Sequence, residues 1–194
     1  MTVSPVDDLA LVLCATGELV AGVRPDQWDS ATPCTDWNVR ELVNHMVIGH
    51  RLFSGILRGE VALAPGALDP TNSDVLGNNP AASYRSAAED LLAAFRRPGV
   101  LEKSFRVPAG EVPGIAAVHL RAVEELVHGW DLARATNQTP RFPDETVERQ
   151  LSFTRKKLPD IPPEKSPFAP SQPIPDNAPP LERLVALLGR QPKS

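Results

Sequence analysis

The sequence predicts an all-α fold: a bundle of four long helices with long crossover connections, followed by a short C-terminal helix. Three observations carry that reading. Four long stretches place apolar residues at helical spacing, each bounded by residues that start or stop helices. No stretch shows the sustained two-residue alternation of a half-buried strand. The connectors after the second and third stretches run to about 20 and 15 residues, so they can cross the bundle, and a simple up-down-up-down order is not implied.

The first helix is expected from about Pro5 to Val23, with Leu9, Val12, Leu13, Leu19 and Val20 on its apolar face and Pro25 beyond its end. A turn-rich connector from Trp28 to Trp37 leads into the second helix. Asn38 opens that helix with Glu41 as its capping-box partner, and Gly59 can close it after Arg58. Its apolar sector is wide: Val39, Leu42, Val43, Met46, Leu52, Phe53, Ile56 and Leu57. His45 and His50 both fall inside that sector, so both are expected to be largely buried.

Residues 60–79 read as a loop rich in Pro, Gly, Asp and Asn. Asn79 followed by Pro80 launches a third helix to about Arg97, where Pro98 and Gly99 break it. The stretch from Val100 to Val107 reads as a short strand or an extended crossing. Pro113 and Gly114 start the fourth helix, which ends near Thr136 and Asn137, and a fifth follows from about Asp144 to Leu158. Nine prolines between residues 159 and 180 exclude a regular element there. An amphipathic helix then resumes over Leu181–Leu188, with Gly189 as its stop. So short a helix needs a surface to pack on, and the proline-rich stretch is therefore expected to be an ordered wrap.

A chain of 194 residues is expected to form one domain over 1–194, the bundle at about 5–158 and the wrap and terminal helix at 159–194. A net charge of −4 carries no basic excess, which argues against nucleic acid as a partner. No apolar run approaches the roughly 20 residues needed to span a bilayer. Residues Met1 to Asp8 lack a charged leader pattern, and Cys14 and Cys34 fall in different elements, so the expected location is the cytoplasm.

The chemistry concentrates on the fourth helix. Glu124 and His128 stand four residues apart, which puts a carboxylate and an imidazole on one helix face, one turn apart. Held that way they form half of a first-row metal site, the geometry a zincin helix uses with two histidines. With four histidines in the chain, the third ligand is sought at His45 or His50 on the second helix. The competing reading is a solvated i,i+4 pair. The apolar face of the fourth helix is expected to comprise Ile115, Val123, Leu126, Val127 and Trp130, with Glu124 at its border and Glu125 and Arg121 on the solvated side. A carboxylate at the rim of a core is expensive unless paired or metal-bound, which favours Glu124 over Glu125 as the functional acid.

Three segments together resemble a known family: TPCTDWNVRELVNH at 32–45, where Trp37 precedes the helix-borne His45 by eight residues; EELVHGWDLARAT at 124–136; and FAPSQPIPDNAPP at 168–180 with the helix that follows. The chain resembles the DinB-like four-helix-bundle superfamily, in the branch containing the N-terminal domain of mycothiol-dependent maleylpyruvate isomerases, and within it an uncharacterised actinobacterial group. The resemblance implies a divalent metal held by His45, Glu124 and His128. Zinc is the first choice, with nickel or another first-row ion as the alternative. It also implies mycothiol or a similar thiol as co-substrate for a transferase or isomerase acting on a small electrophile. The full isomerase carries an additional C-terminal domain that is replaced here by the proline-rich wrap, so maleylpyruvate itself is not implied as substrate.

Two rival classes stay open: a non-catalytic metal- or ligand-binding bundle, and a homodimeric structural protein with vestigial histidines. Among the remaining residues, His50 is expected as a buried packing histidine or a gating group near the site, and His119 as a satisfied core residue. Asp131 can hold the second nitrogen of His128, or form a salt bridge to Arg134 or to another helix. Trp37 and Trp130 read as packing and pocket-wall residues, Arg40 as an exposed helix-start arginine or a carboxylate binder, and Cys34 as a turn residue or a reactive thiol.

Overall fold

The computed structural model describes residues 4–157 and 168–192. Among these residues, six α-helices, one hairpin and a short 3-10 helix (Pro25–Gln27) make up the regular elements: α1 (Pro5–Ala21), α2 (Val39–Arg58), α3 (Pro80–Phe95), β1 (Ser104–Val107), β2 (Gly110–Pro113), α4 (Gly114–Thr136), α5 (Asp144–Lys157) and α6 (Pro180–Leu187). The expected end of α5 at Leu158 and the wrap up to residue 167 lie outside the described residues.

Local chemistry sets most of the helix ends. On α2 the capping box forms in full: the Glu41 amide donates to Asn38 Oδ1 at 2.9 Å, and the Asn38 amide donates to Glu41 Oε2 at 2.9 Å. Gly59 closes the helix in the left-handed region at φ 75°. Asn79 Oδ1 accepts from the Ala82 amide at 3.1 Å, with Pro80 at the first position of α3. Within the stretch expected to be strand or extended crossing, Ser104–Val107 forms β1, and it pairs antiparallel with an unanticipated second strand, β2, in which Pro113 faces Ser104. The Gly114 amide then donates to the Lys103 carbonyl at 2.8 Å, so the hairpin fixes where α4 begins.

Helix α1 packs against α3 and α4, and α2 packs against the same two, so α1 and α2 face each other across the bundle. The connections from α1 to α2 and from α3 to α4 are thus diagonal, as their length allows. Helix α5 lies on α4, and α6 lies on both. No helix among the described residues is long and apolar enough to cross a membrane.

Two expectations for α4 are corrected. Ile115, assigned to the apolar face, is 45% exposed in the first turn, whereas Glu125 and Arg121, assigned to solvent, are 0% and 2% exposed. The reason is that α4 is the central helix, touched by α1, α2, α5, α6 and both strands, and has almost no solvent side to give them. Glu125 instead takes hydrogen bonds from His50 Nε2 at 2.7 Å, Tyr84 Oη at 2.6 Å and Arg121 Nη2 at 3.0 Å. This cluster ties α2, α3 and α4 together at a fully buried point. Burial keeps His50 below its usual range, so it serves as a neutral donor through Nε2 and leaves Nδ1 without a hydrogen-bond partner.

Candidate metal centre

The second turn of α2 and the middle of α4 bring His45, Glu124 and His128 together, with one ligand atom from each inside a 4.8 Å span. Glu124 Oε2 stands 3.4 Å from His128 Nε2 and 3.7 Å from His45 Nε2. Two ligand atoms bound tetrahedrally at about 2.0–2.1 Å from one ion lie roughly 3.3 Å apart. The spacing is therefore that of a coordination edge more than that of a hydrogen bond.

Orientation supports the same reading. His45 Nδ1–H donates to the Leu68 carbonyl at 2.8 Å, and His128 Nδ1–H donates to Asp131 Oδ2 at 3.2 Å. A carbonyl and a carboxylate can only accept, so each ring keeps a proton on Nδ1 and turns Nε2 toward Glu124. The donor set of two imidazoles and one carboxylate suits a divalent first-row ion, and three protein ligands leave a position open.

Electrostatics follows from the packing. Burial alone would raise Glu124, but the neighbouring His128 and His45 imidazoles hold its carboxyl well below the usual range. Burial would lower His128, yet Asp131 and Glu124 outweigh it and push the imidazole up to about 9. With no ion bound, His128 is thus an imidazolium at neutral pH, and a cation entering the site takes the place of its Nε2 proton. Access is one-sided: the Glu124 side chain is 25% exposed, against 8% for His45 and 7% for His128.

The walls come from the connectors. Trp37 packs against His45 with ring centroids 4.3 Å apart and the planes tilted by 31°, and its ring sits 6.0 Å from that of His128. Its loop is pinned by Thr32, whose hydroxyl lies 2.8 Å from the Trp37 carbonyl and accepts from the Cys34 amide at 3.1 Å. Asn44, next to His45, donates to the Pro70 and Ser73 carbonyls and accepts from the Val75 amide, which bolts the α2–α3 connector over the site. A cleft of about 940 Å³ opens between the end of α2, residues 61–69 and β1, and Leu68 lines it as well as holding His45.

His50 stands outside this group, in the buried cluster with Glu125. Asp131 is fully buried and holds His128, but its ionic partner is Arg190 and not Arg134, which lies over the Trp130 ring at 5.8 Å. Arg40 is engaged with Asp74 at 2.6 Å and with the Gly77 carbonyl, so it is not poised to bind a substrate carboxylate. His119 is half-buried, stacked on Phe153 and bonded to Gln150. Cys34 lies beside His128 and Asp131, and burial together with the Asp131 charge pushes its thiol up to about 11. It is therefore a protonated thiol near neutral pH and a poor nucleophile. Sequence reasoning missed three parts of the surroundings: the Leu68 carbonyl, Asn44 and Arg190. Only Arg190 had a local signal, its place immediately after the helix-stopping Gly189.

Comparison with known proteins places these features in a family. The family model described as mycothiol maleylpyruvate isomerase N-terminal domain matches residues 9–133. Two uncharacterized proteins of Mycobacterium tuberculosis, from strains CDC 1551 / Oshkosh and ATCC 25618 / H37Rv, are each 34% identical over 177 residues, 91% of this chain and 92% of theirs. Among solved structures, a histidine-to-alanine mutant of the mycothiol-dependent maleylpyruvate isomerase superposes with a TM-score of 0.62 at 15% identity. The unmutated isomerase gives a TM-score of 0.60 at 16% identity. Both matches cover 78% of this chain and 71% of the isomerase, and at that identity they establish a shared DinB-like fold.

Proposed function

The chain belongs to the mycothiol maleylpyruvate isomerase N-terminal domain family, and from that premise we propose that it binds a divalent metal ion, zinc first, through His45, Glu124 and His128. We further propose that the ion serves a thiol-dependent transfer or isomerisation on a small electrophile, with mycothiol or a similar thiol as co-substrate. The observation that carries the first part is the convergence of two Nε2 atoms on one carboxylate, with both Nδ1 atoms already committed elsewhere.

An ion held there would supply the positive charge that keeps a thiol deprotonated near neutral pH. The rest falls to the chain's own residues. Leu68 and Asp131 hold the two imidazoles in the binding tautomer. Trp37 shields the His45 side from water, so an incoming thiol approaches over the exposed edge of Glu124. Since Cys34 is held protonated, the reacting thiol has to arrive from outside. The proposal stops short of maleylpyruvate, because the isomerase has a further part, beyond the 71% matched, that this chain does not cover.

The test is metal analysis of tag-free protein beside His45→Ala and Glu124→Ala, followed by a thiol-consumption screen with small electrophiles. Near-stoichiometric metal lost from both variants, with thiol consumed only by the loaded wild type, is the expected result. Wild-type protein that cannot be loaded sinks the metal site. Loading without turnover leaves a binding bundle and removes the catalytic half of the proposal.

A further inference from the structure

We propose that Arg190, delivered by the C-terminal arm (residues 168–192), is a positioning residue of the candidate metal centre, acting on His128 through Asp131. The inference rests on the metal-binding reading above and adds a residue 59 positions beyond Asp131 in the chain.

Arg190 Nε donates to Asp131 Oδ1 at 2.9 Å and Nη2 donates to Oδ2 at 2.8 Å. A two-pronged contact of that kind aligns the carboxylate plane with the guanidinium plane. Asp131 Oδ2 is also the atom that accepts from His128 Nδ1. Fixing the carboxylate therefore fixes the acceptor that decides which imidazole nitrogen keeps its proton and how the ring is turned. Without Arg190, a carboxylate with no exposed surface would lose its guanidinium partner and two of its hydrogen bonds, and nothing but His128 Nδ1 among the described residues would then fix its plane.

The arm is built to hold Arg190 in place. Leu184, Val185, Ala186 and Leu188 are each 0% exposed, which anchors α6 in the core. Past its end the Gly189 amide donates to the Ala186 carbonyl at 3.1 Å and the Arg190 amide to the Val185 carbonyl at 2.9 Å, the bond pair of a Schellman turn. Gly189 sits at φ 85°, with the Ala169 carbonyl oxygen 2.7 Å from where a Cβ would stand. The turn thus aims the Arg190 side chain, only 13% exposed, back at α4.

Competition with a chromogenic chelator gives zinc affinity for wild type, Arg190→Met, Arg190→Lys, Asp131→Asn and the double variant Asp131→Asn/Arg190→Met. Loss of such a supporting partner is expected to weaken zinc binding about 10-fold. Lysine keeps the charge but not the fork and should fall between. In the Asp131→Asn background Arg190→Met should have no further effect. Metal-free protein gives an independent reading: long-range ¹H–¹⁵N imidazole spectra at about pH 10, with the rings neutral, should show His128 as the Nδ1–H tautomer in wild type and a mixture in Arg190→Met. An ion pair that merely fastens the arm would move neither the tautomer nor the affinity. Either an unchanged tautomer or full additivity with Asp131→Asn overturns the proposal. If wild type takes up no zinc, the metal-binding reading fails and the tautomer still decides the role of Arg190. If Arg190→Met does not fold, Arg190→Lys carries both measurements.

Discussion

Replacing Glu125 by glutamine is the sharpest test of the buried cluster at the centre of the bundle. The carboxylate accepts from His50, Arg121 and Tyr84 with no exposed surface of its own. Glutamine keeps the shape, removes the charge and turns one acceptor oxygen into a donor. Arg121 cannot neutralise in response, and it is left against the face of Phe53, 5.1 Å from its Cζ. Removing one partner of a buried pair costs about 3–5 kcal/mol. The protonation side gives a similar size. Burial would raise the Glu125 carboxyl, but hydrogen bonds from His50 and Tyr84 and the Arg121 charge beside it hold it at about 2. That displacement from an ordinary glutamate corresponds to about 3 kcal/mol. Because the folded value lies below the unfolded one, the stabilisation is fully present above about pH 4.5 and is lost as pH falls toward 2. Urea unfolding at neutral pH should show Glu125→Gln about 3 kcal/mol less stable, a drop of about 6–12 °C in melting temperature for a chain of this size. The gap should narrow as the pH is taken below 4.5. A loss under about 0.5 kcal/mol, or a gap indifferent to acid, would mean that Glu125 faces water and would refute the argument.

Three further outcomes follow from the same geometry. Since His128 is raised to about 9, loading zinc near neutral pH should release about one proton, and apparent affinity should rise about tenfold per pH unit up to roughly that value; weakly buffered titrations check this, and an affinity flat across that range contradicts it. Gly189→Ala puts a Cβ at φ 85° and 2.6 Å from the Ala169 Cβ, so a loss of about 1–3 kcal/mol is expected in thermal unfolding, together with weaker zinc binding as Arg190 loses its aim. Asn38→Ala breaks the capping box of the helix that carries His45 and should cost about 1 kcal/mol by urea titration.

What could be read from the sequence is what local chemistry decides. The Asn38–Glu41 box and Gly59 mark α2 because caps act within a turn of the residues they serve. The burial of His45 and His50 follows from their place in a wide apolar sector, and the Glu124–His128 juxtaposition follows from helical spacing alone. Glu125 and Arg121 escaped because opposite charges four residues apart look the same on a solvated face and in a core. What separates the two cases is how many elements surround the helix, and α4 is covered on nearly every side.

The candidate centre divides along the same line, and the division has a physical cause. The candidate ligands are side chains, so the grouping of His45, Glu124 and His128 could be anticipated from residue types and spacing with the family resemblance added. Ligand orientation resides elsewhere. His45 is turned by a backbone carbonyl at Leu68, and every residue type has a carbonyl, so no sequence signal marks it. His128 is turned by Asp131, which is local, but Asp131 is held by an arginine that becomes a neighbour only once α6 has docked. An imidazole with Nδ1 free could turn either nitrogen to a metal; one with Nδ1 committed can offer only Nε2. The proposed orientation of His128 therefore draws on a residue that reaches it from the far end of the sequence, which is why a variant that keeps all three candidate ligands and loses Arg190 is the more searching test of the proposed site.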